Sequence, residues 1–317
     1  MIIRDYVAKG LRLERALVIV CLSRSTYYYK PNGGKHGKKA STHTLFKGKL
    51  VANSEVVEQI KKILKVEFID YGYKRTTEQL KNMGYKIGKK KVYRLMKEQR
   101  LLQERKKSKH KGKKYIVYKS PQPTGPLKII EIDFKYVWIE GSRRFAYLVC
   151  MLDTFHRQIY EWSLNFDMKT NRLTDLIRKF VEQCLVTKNL DPKTTKILFQ
   201  TDNGSQFTAK NYKKTLEDIG IERSYIPCGV PQLNGHIEGF HSTIERLVCS
   251  KYKFISLQHA RKVFERFFNT YNNERIMKSI LHKSPTKFIE LWDLNKIELK
   301  KVKKKNKFYL KEESLKS

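Results

Sequence analysis

The sequence predicts an α/β protein: a mixed sheet covered by helices, preceded by a small helical region. Three observations carry this. Residues 130 to 138 alternate apolar and polar, the period of a strand. From residue 145 to 249, short β-type runs give way to helical periodicity and back, as expected of a sheet with helices packed on it. Residues 55 to 100 instead repeat apolar residues at helical spacing alone.

The chain has 317 residues, a length that suits about two domains. The elements read as follows from the N-terminus. Leu13, Leu17, Val18 and Val20 to Leu22 give a short helical signal, and Ser23 is placed to cap a small helix. Tyr27 to Tyr29 suit packing on that helix or stacking on bases. Residues 31 to 50, with Gly33-Gly34, Gly37 and several Lys, read as a flexible basic linker. Val56, Val57, Ile60, Ile63 and Leu64 define one helix. Thr76 or Thr77 caps a second, which carries Leu80 and Met83 and ends at Gly84. A third turns Val92, Leu95 and Met96 inward and Lys89, Lys90, Lys91, Arg94 and Lys97 outward. Two helices, a glycine turn and a basic third helix suit a helix-turn-helix in a DNA major groove. The same pattern fits a solvated lysine face, and the charge of the whole chain favours DNA.

Residues 103 to 119 hold eight Lys or Arg, among them Lys106 and Lys107, and are predicted to touch phosphates. Pro121, Pro123, Gly125 and Pro126 mark a boundary. Beyond it, Ile130, Ile132, Phe134, Tyr136 and Trp138 predict a strand with one buried face. Glu131, Asp133 and Lys135 lie on the other. Phe145–Leu152 and Gln158–Leu164 are further strands, 170–186 an amphipathic helix, Lys196–Gln200 a short strand, 210–219 a helix, Arg223–Ile226 a strand and 235–249 a helix. Ser256 caps a long final helix whose stripe runs from Ala260 through Val263, Phe264, Phe267 and Phe268 to Tyr271. The tail after residue 296 is basic and poor in apolar residues, which predicts mobility. The domains expected are thus 1–50 (helical segment and basic linker), 51–102 (helix-turn-helix), 103–126 (basic linker), 127–290 (catalytic core with C-terminal helix) and 291–317 (basic tail).

Lys plus Arg number 67 against 31 Asp plus Glu, a formal charge of +36. Such an excess favours a polyanionic partner, most simply nucleic acid, with an anionic membrane surface as the alternative. The longest apolar runs, Ala16–Leu22 and Phe145–Leu152, fall well short of the roughly 20 residues that span a bilayer. Five scattered Cys with no Cys-x-x-Cys pair disfavour a disulfide framework or a zinc finger and suit a reducing cytoplasm. No Gly-x-x-x-x-Gly-Lys or Gly-x-Gly-x-x-Gly loop is present, so nucleotide hydrolysis is not expected.

Three acids stand out: Asp133 within a strand, Asp202 at a strand end before Asn203-Gly204, and Glu238 in the first turn of a helix. Between Asp202 and Glu238 lie 35 residues. Taken singly, Asp202 is a turn former, Glu238 a favourable charge at a helix start and Asp133 a solvated strand residue. Asp153 is a rival candidate. Converging at one sheet edge, the three carboxylates would repel one another unless a cation joined them. Hard oxygen ligands favour Mg²⁺ or Mn²⁺. Two such ions suit in-line phosphoryl displacement. His236 and His241 flank Glu238, and His241 is an auxiliary candidate.

Glu131-Ile-Asp133, Thr201-Asp202-Asn-Gly-Ser-Gln-Phe and Asn234-Gly-His-Ile-Glu238-Gly-Phe-His resemble the three acidic motifs of DDE transposases and retroviral integrases. More closely, the chain resembles the catalytic protein of the bacterial insertion-sequence-three family. Tyr71-Gly-Tyr-Lys-Arg75 with Val92-Tyr-Arg-Leu-Met96 resembles that family's helix-turn-helix, and Tyr271-Asn-Asn-Glu-Arg275 with Ser284-Pro285 its C-terminal signature. The resemblance covers roughly residues 50 to 290. It implies an RNase H-like core, a Mg²⁺-dependent site at Asp133, Asp202 and Glu238, cutting and joining of double-stranded DNA at element ends, a homo-oligomer on paired ends, and a bacterial cytoplasmic, nucleoid-associated protein. Two departures stand out. Glu245 occupies the position seven after the glutamate that is usually basic, with Arg246 beside it as a DNA-contact candidate. Asn234-Gly235 replaces the frequent Asn-Ala. The zinc-binding His-His-Cys-Cys domain of retroviral integrases has no counterpart. The competing readings are a non-catalytic DNA-binding regulator and a metal-dependent nuclease that does not join ends. A tyrosine recombinase is disfavoured, because no Arg-His-Arg-Tyr arrangement is evident.

Overall fold

The structure, a computed structural model, describes residues 2–29, 40–103, 122–227, 231–302 and 305–311. The chain divides into two compact units, 1–42 and 43–317. The described residues of the first form three short helices: α1 (Ile2–Ala8), α2 (Leu13–Ile19) and α3 (Arg24–Tyr28). Ser23 accepts the Thr26 N–H and caps α3, as its sequence position predicts.

The second unit opens with strands β1 (His43–Phe46) and β2 (Lys49–Ala52), a hairpin within the stretch that reads as linker. Its apolar content is slight, and Phe46 finds its partner only in space, stacked on Tyr85 at 4.3 Å. Helices α4 (Asn53–Lys65), α5 (Tyr73–Asn82) and α6 (Lys89–Glu98) follow, with the two-residue strand β3 (Tyr85–Lys86) before α6. Val56, Ile60, Leu80, Val92 and Met96 form their shared core. The α5 cap differs from expectation. The helix starts at Tyr73, and Thr76 and Thr77 are buried inside it, their hydroxyls donating to the carbonyls of Gly72 and Tyr73. Such back-bonding lets a threonine sit in a helix interior. Gly84 adopts φ +104°, which a glycine tolerates at a helix end.

The larger part is a five-stranded sheet in the order β6-β5-β4-β7-β8. β4 (Ile129–Ile139), β5 (Arg144–Asp153) and β6 (Ile159–Asn165) form an antiparallel meander. β7 (Leu198–Thr201) and β8 (Glu222–Tyr225) continue it in parallel with β4. Helix α7 (Thr170–Phe180), the short α8 (Pro192–Thr195) and α9 (Ser205–Thr208), and α10 (Lys210–Ile219) connect these strands. Phe180, Phe207 and Leu216 from this set pack with Ile130, Ile132 and Phe199 on one face. On the other face lie α11 (Gly235–Ile244), prolonged by a π-helical turn over Glu245–Cys249, and α12 (Leu257–Asn273). Their Phe240, Phe264 and Phe267 pack with Val137, Ile139, Leu148 and Cys150.

β4 therefore corrects the one-faced pattern. It is a central strand with helices on both sides. Glu131 is 1% exposed, while Tyr136 and Trp138, placed inward by alternation, are 60% and 44% exposed where the strand outruns its helical cover. α12 starts at its Ser256 cap as predicted but is not the last element. α13 (Pro285–Asp293), capped by Ser284 with Pro285 in its first turn, is followed by a hairpin of β9 (Ile297–Val302) and β10 (Lys305–Leu310). The expected mobile tail is thus largely a packed hairpin. Ile297, Leu299, Phe308 and Leu310 meet Phe155 and Phe288, and those few apolar side chains suffice because they alternate onto one side of the ribbon. No helix among the described residues is long and apolar enough to cross a membrane.

Candidate active site

Asp133 lies midway along β4 and is half-buried, its Oδ1 accepting the Phe134 N–H at 2.8 Å. Burial pushes its pKa up to about 6, and the carboxylates of Asp202 and Glu238 add to the rise. The electrostatic influence of both acids reaches Asp133 although 69 and 105 positions of sequence separate them from it. Asp202 follows the last residue of β7 and is exposed. Its Oδ1 accepts the Gly204 N–H at 3.0 Å, so it also makes the turn its sequence context predicts. Glu238 stands exposed in the first turn of α11, its pKa raised by burial. Among the described residues, no three His, Cys, Asp or Glu side chains are already gathered as a metal cage.

One turn along α11, His241 brings Nδ1 to 3.6 Å from Asp133 Oδ2. Burial, helped by Lys135, pushes its pKa down to about 4, so the imidazole is neutral at neutral pH and the contact is polar rather than an ion pair. Its Nε2 is buried without a hydrogen-bond partner. His236 is likewise pushed down to about 4, by burial and by Arg157.

The basic candidates divide. Arg246 pairs with Asp70, in the loop before α5. Glu245 accepts from Lys135 Nζ at 2.8 Å, which brings a lysine of β4 to the acidic site. An open groove of about 820 Å³ runs from His241 past Lys135 and Arg246 to Lys251 and Gln103. On α6, Lys89 lies 3.6 Å from Glu78, Lys91 donates to the His43 carbonyl at 2.6 Å, Arg94 lies 3.9 Å from Glu98, and Lys90 is exposed. Lys106 and Lys107 lie outside the described residues. Asp153, the rival acid, is fully buried and accepts the N–H groups of Leu127 and Phe155, each at 2.7 Å, with His156 at 3.4 Å. It organises the end of β5.

Two residues outside the three candidate acids also matter: Glu131, which opens the first acidic motif, and Gln200, which no motif marked. Glu131 Oε2 accepts the Ile237 N–H at 2.7 Å, and Gln200 Nε2 donates to the Leu233 carbonyl at 2.6 Å. Burial pushes Glu131 up to about 7, against the pull of its N–H donors and Arg157. Their shared sequence signal is spacing: each precedes a candidate acid by two residues, Glu131 on the same strand face as Asp133 and Gln200 at the end of the strand that Asp202 follows.

Residues 123–231 match an integrase core domain family, and residues 219–285 match a second integrase core domain family. Residues 52–109 match an HTH-like domain. The chain is 29% identical over 242 residues to the transposase for insertion sequence element IS904 of Lactococcus lactis, an alignment covering 73% of this chain and 92% of that one. It carries an integrase core and an HTH-like domain, and its relatives are transposases of insertion sequences. Other relatives are an uncharacterized 31 kDa protein of insertion element IS600 from Shigella sonnei (25% identical, 74% and 88% covered) and the Escherichia coli transposase InsD of insertion element IS2 (23% identical, 89% of each chain covered). The transposase is thus a polynucleotidyl transferase of the integrase class, with an HTH-like module ahead of a mixed α/β core.

Proposed function

We propose that this transposase cuts double-stranded DNA at the ends of a mobile element and joins the freed ends to target DNA, with Asp133, Asp202 and Glu238 as its reaction site. The observation that carries the proposal is the charge that meets half-buried Asp133: Asp202 and Glu238 both oppose its ionisation. Like charges drawn together at a sheet edge, with a helix start beside them, are costly unless a cation is shared. The donors are all carboxylate oxygens, a set that fits Mg²⁺ or Mn²⁺. A pair of such ions would supply Lewis-acid polarisation of the phosphodiester and offset the carboxylate charge.

The chain's own groups do the rest. Asp133 sits on a rigid central strand, which fixes one corner of the site. Asp202 turns on a loop between β7 and α9, and Glu238 rides on α11. His241, neutral and with an unpartnered Nε2, is placed to accept or donate one hydrogen bond at the same edge. Lys135 brings positive charge to the wall of the groove, where it suits a phosphate. Water attacks a phosphodiester at the element end and displaces its 3′-oxygen as a 3′-hydroxyl; that hydroxyl then attacks a second phosphodiester, in the target DNA, in line and displaces its 3′-oxygen. The basic face of α6, with Lys89, Lys90, Lys91 and Arg94, and the basic stretch containing Lys106 and Lys107 hold the duplex by its phosphates. The working form is a homo-oligomer that pairs two ends.

The test is strand transfer on labelled element ends, wild type against Asp202→Asn, with Mg²⁺ or with chelator. Product only from wild type with Mg²⁺ is expected. Undiminished cutting and joining by Asp202→Asn would leave a DNA-binding role for these acids at most. Cutting without joining, when free 3′-hydroxyl ends are supplied, would make the protein a nuclease.

A further inference from the structure

β4 and β7 run parallel with Glu131 and Gln200 paired in register. Both side chains reach the segment that leads into α11. The Glu131 carboxylate accepts the Ile237 N–H at 2.7 Å, and Gln200 holds the Leu233 carbonyl at 2.6 Å. Side chains on a strand return to the same face every second residue. Asp133 therefore stands two residues beyond Glu131, and Asp202 two beyond Gln200. Each strand carries an inner residue fastened to the segment that leads into or starts α11, with a carboxylate two positions on: Asp133 within β4, Asp202 just past the end of β7. Glu238 follows Ile237 directly.

The first N–H groups of an α-helix lack intrahelical partners. An N-cap side chain usually takes one of them, but Asn234, at that position, makes no such bond, and its Oδ1 is buried without a partner. A carboxylate from a neighbouring strand takes the Ile237 N–H instead, where negative charge is favourable. Glu131 is 1% exposed, and burying a carboxylate there is costly without bonds of this kind.

We infer that Glu131 and Gln200 are positioning residues that clamp the first turn of α11 onto β4 and β7 and so set where the Glu238 carboxylate stands relative to Asp133 and Asp202. The inference rests on the reading of those three acids as the reaction site. Side chains that orient metal-binding groups are typically worth about 10- to 100-fold in metal affinity or activity. Displacement of a reacting group by about 1 Å costs a similar factor.

The test compares Glu131→Ala, Glu131→Gln, Gln200→Ala and Glu238→Gln in the full chain. Three quantities are read: the single-turnover rate of end cleavage with Mg²⁺, the Kd for end DNA, and Mn²⁺ affinity of the DNA-free protein by calorimetry. Glu131→Ala and Gln200→Ala are expected to slow cleavage and weaken Mn²⁺ binding by about 10- to 100-fold, with the DNA Kd unchanged. Glu131→Gln keeps an acceptor oxygen and is expected to recover most of both losses. Wild-type rate and Mn²⁺ affinity in the two alanine variants would overturn the inference. So would a loss of DNA affinity equal to the loss of rate, the mark of general damage. Should Glu131→Ala fail to fold, Gln200→Ala, which deletes only a neutral amide, decides by the same criteria. Full activity of Glu238→Gln would instead overturn the reading of the site, and this inference with it.

Discussion

Arg275 donates to Asp70 Oδ1 at 2.8 Å, joining residues 205 apart in sequence. Its other terminal nitrogen donates to the Phe68 carbonyl at 3.1 Å, and Tyr71 Oη accepts the Ile276 N–H at 2.7 Å. Arg246 also pairs with Asp70. The loop between α4 and α5 is thereby bolted to the end of α12 and to the helix that carries Glu238. The C-terminal signature residues Tyr271, Asn272 and Arg275 each serve packing. The Tyr271 ring lies 4.7 Å from that of Phe240, Asn272 bonds both backbone groups of Ile159, and Arg275 grips the HTH-like module.

Arg275→Met should therefore destabilise the protein by about 1–3 kcal/mol, because it leaves the buried Phe68 carbonyl without its donor and the Asp70 carboxylate with Arg246 alone. Chemical unfolding monitored by circular dichroism measures this. Arg246→Met, at a side chain 45% exposed, should cost clearly less. Equal losses for the two would contradict the ranking.

Asp153 sets the acid limb of stability. Burial acts to raise its pKa, but the His156 imidazole and the Leu127 and Phe155 N–H groups outweigh it and hold the carboxyl below the ordinary range. A depressed acid stabilises the fold above its unfolded pKa of about 3.9 and gives that stability up as pH falls through the folded value. Melting temperature should thus begin to drop below about pH 5 and continue to fall below pH 4. Asp153→Asn should be less stable at pH 7 and flatter across the acid range. An unchanged acid slope in that variant would show that another group controls it.

The hairpin of β9 and β10 should contribute measurably to folding. The Phe308 ring lies 5.0 Å from that of Phe155 and 4.8 Å from that of Phe288. Phe308→Ala should cost about 2–3 kcal/mol, somewhat under the value for a fully buried phenylalanine. A differential scanning calorimetry trace that overlays the parent would mean the ribbon packs without stabilising.

DNA affinity should fall steeply with salt, since each phosphate neutralised releases counterions. Lys90→Ala on the exposed face of α6 should weaken binding to all duplexes alike. It should also flatten the log–log salt slope by about 0.9 for each phosphate that is no longer neutralised. Fluorescence anisotropy at several salt concentrations reads both. A variant that loses affinity only for one sequence would move Lys90 from phosphate binding to base reading.

Much of this molecule was legible from residue pattern. Helical periodicity found α4, α5, α6, α7 and α12, alternation found β4, and Ser23 and Ser256 marked true caps. The acids at 133, 202 and 238 stood out through their order and spacing. The failures share one cause, which is that burial is a property of neighbours. Thr76 and Thr77 read as caps because a hydroxyl at a helix start is common, yet packing placed them one turn inside α5. β4 read as one-faced because alternation cannot tell how many layers will cover a strand.

The sequence by itself determined the fold class, the order of the elements and a short list of acids, because period, turn chemistry and charge act over a few residues. Only the tertiary structure decided which charges are spent on folding. It set Asp153 into a buried turn, drew Arg246 to Asp70, and pressed Glu131 against the start of α11. Those choices depend on which backbone N–H or counter-charge comes within about 3 Å. Local sequence carries no record of such meetings between distant segments.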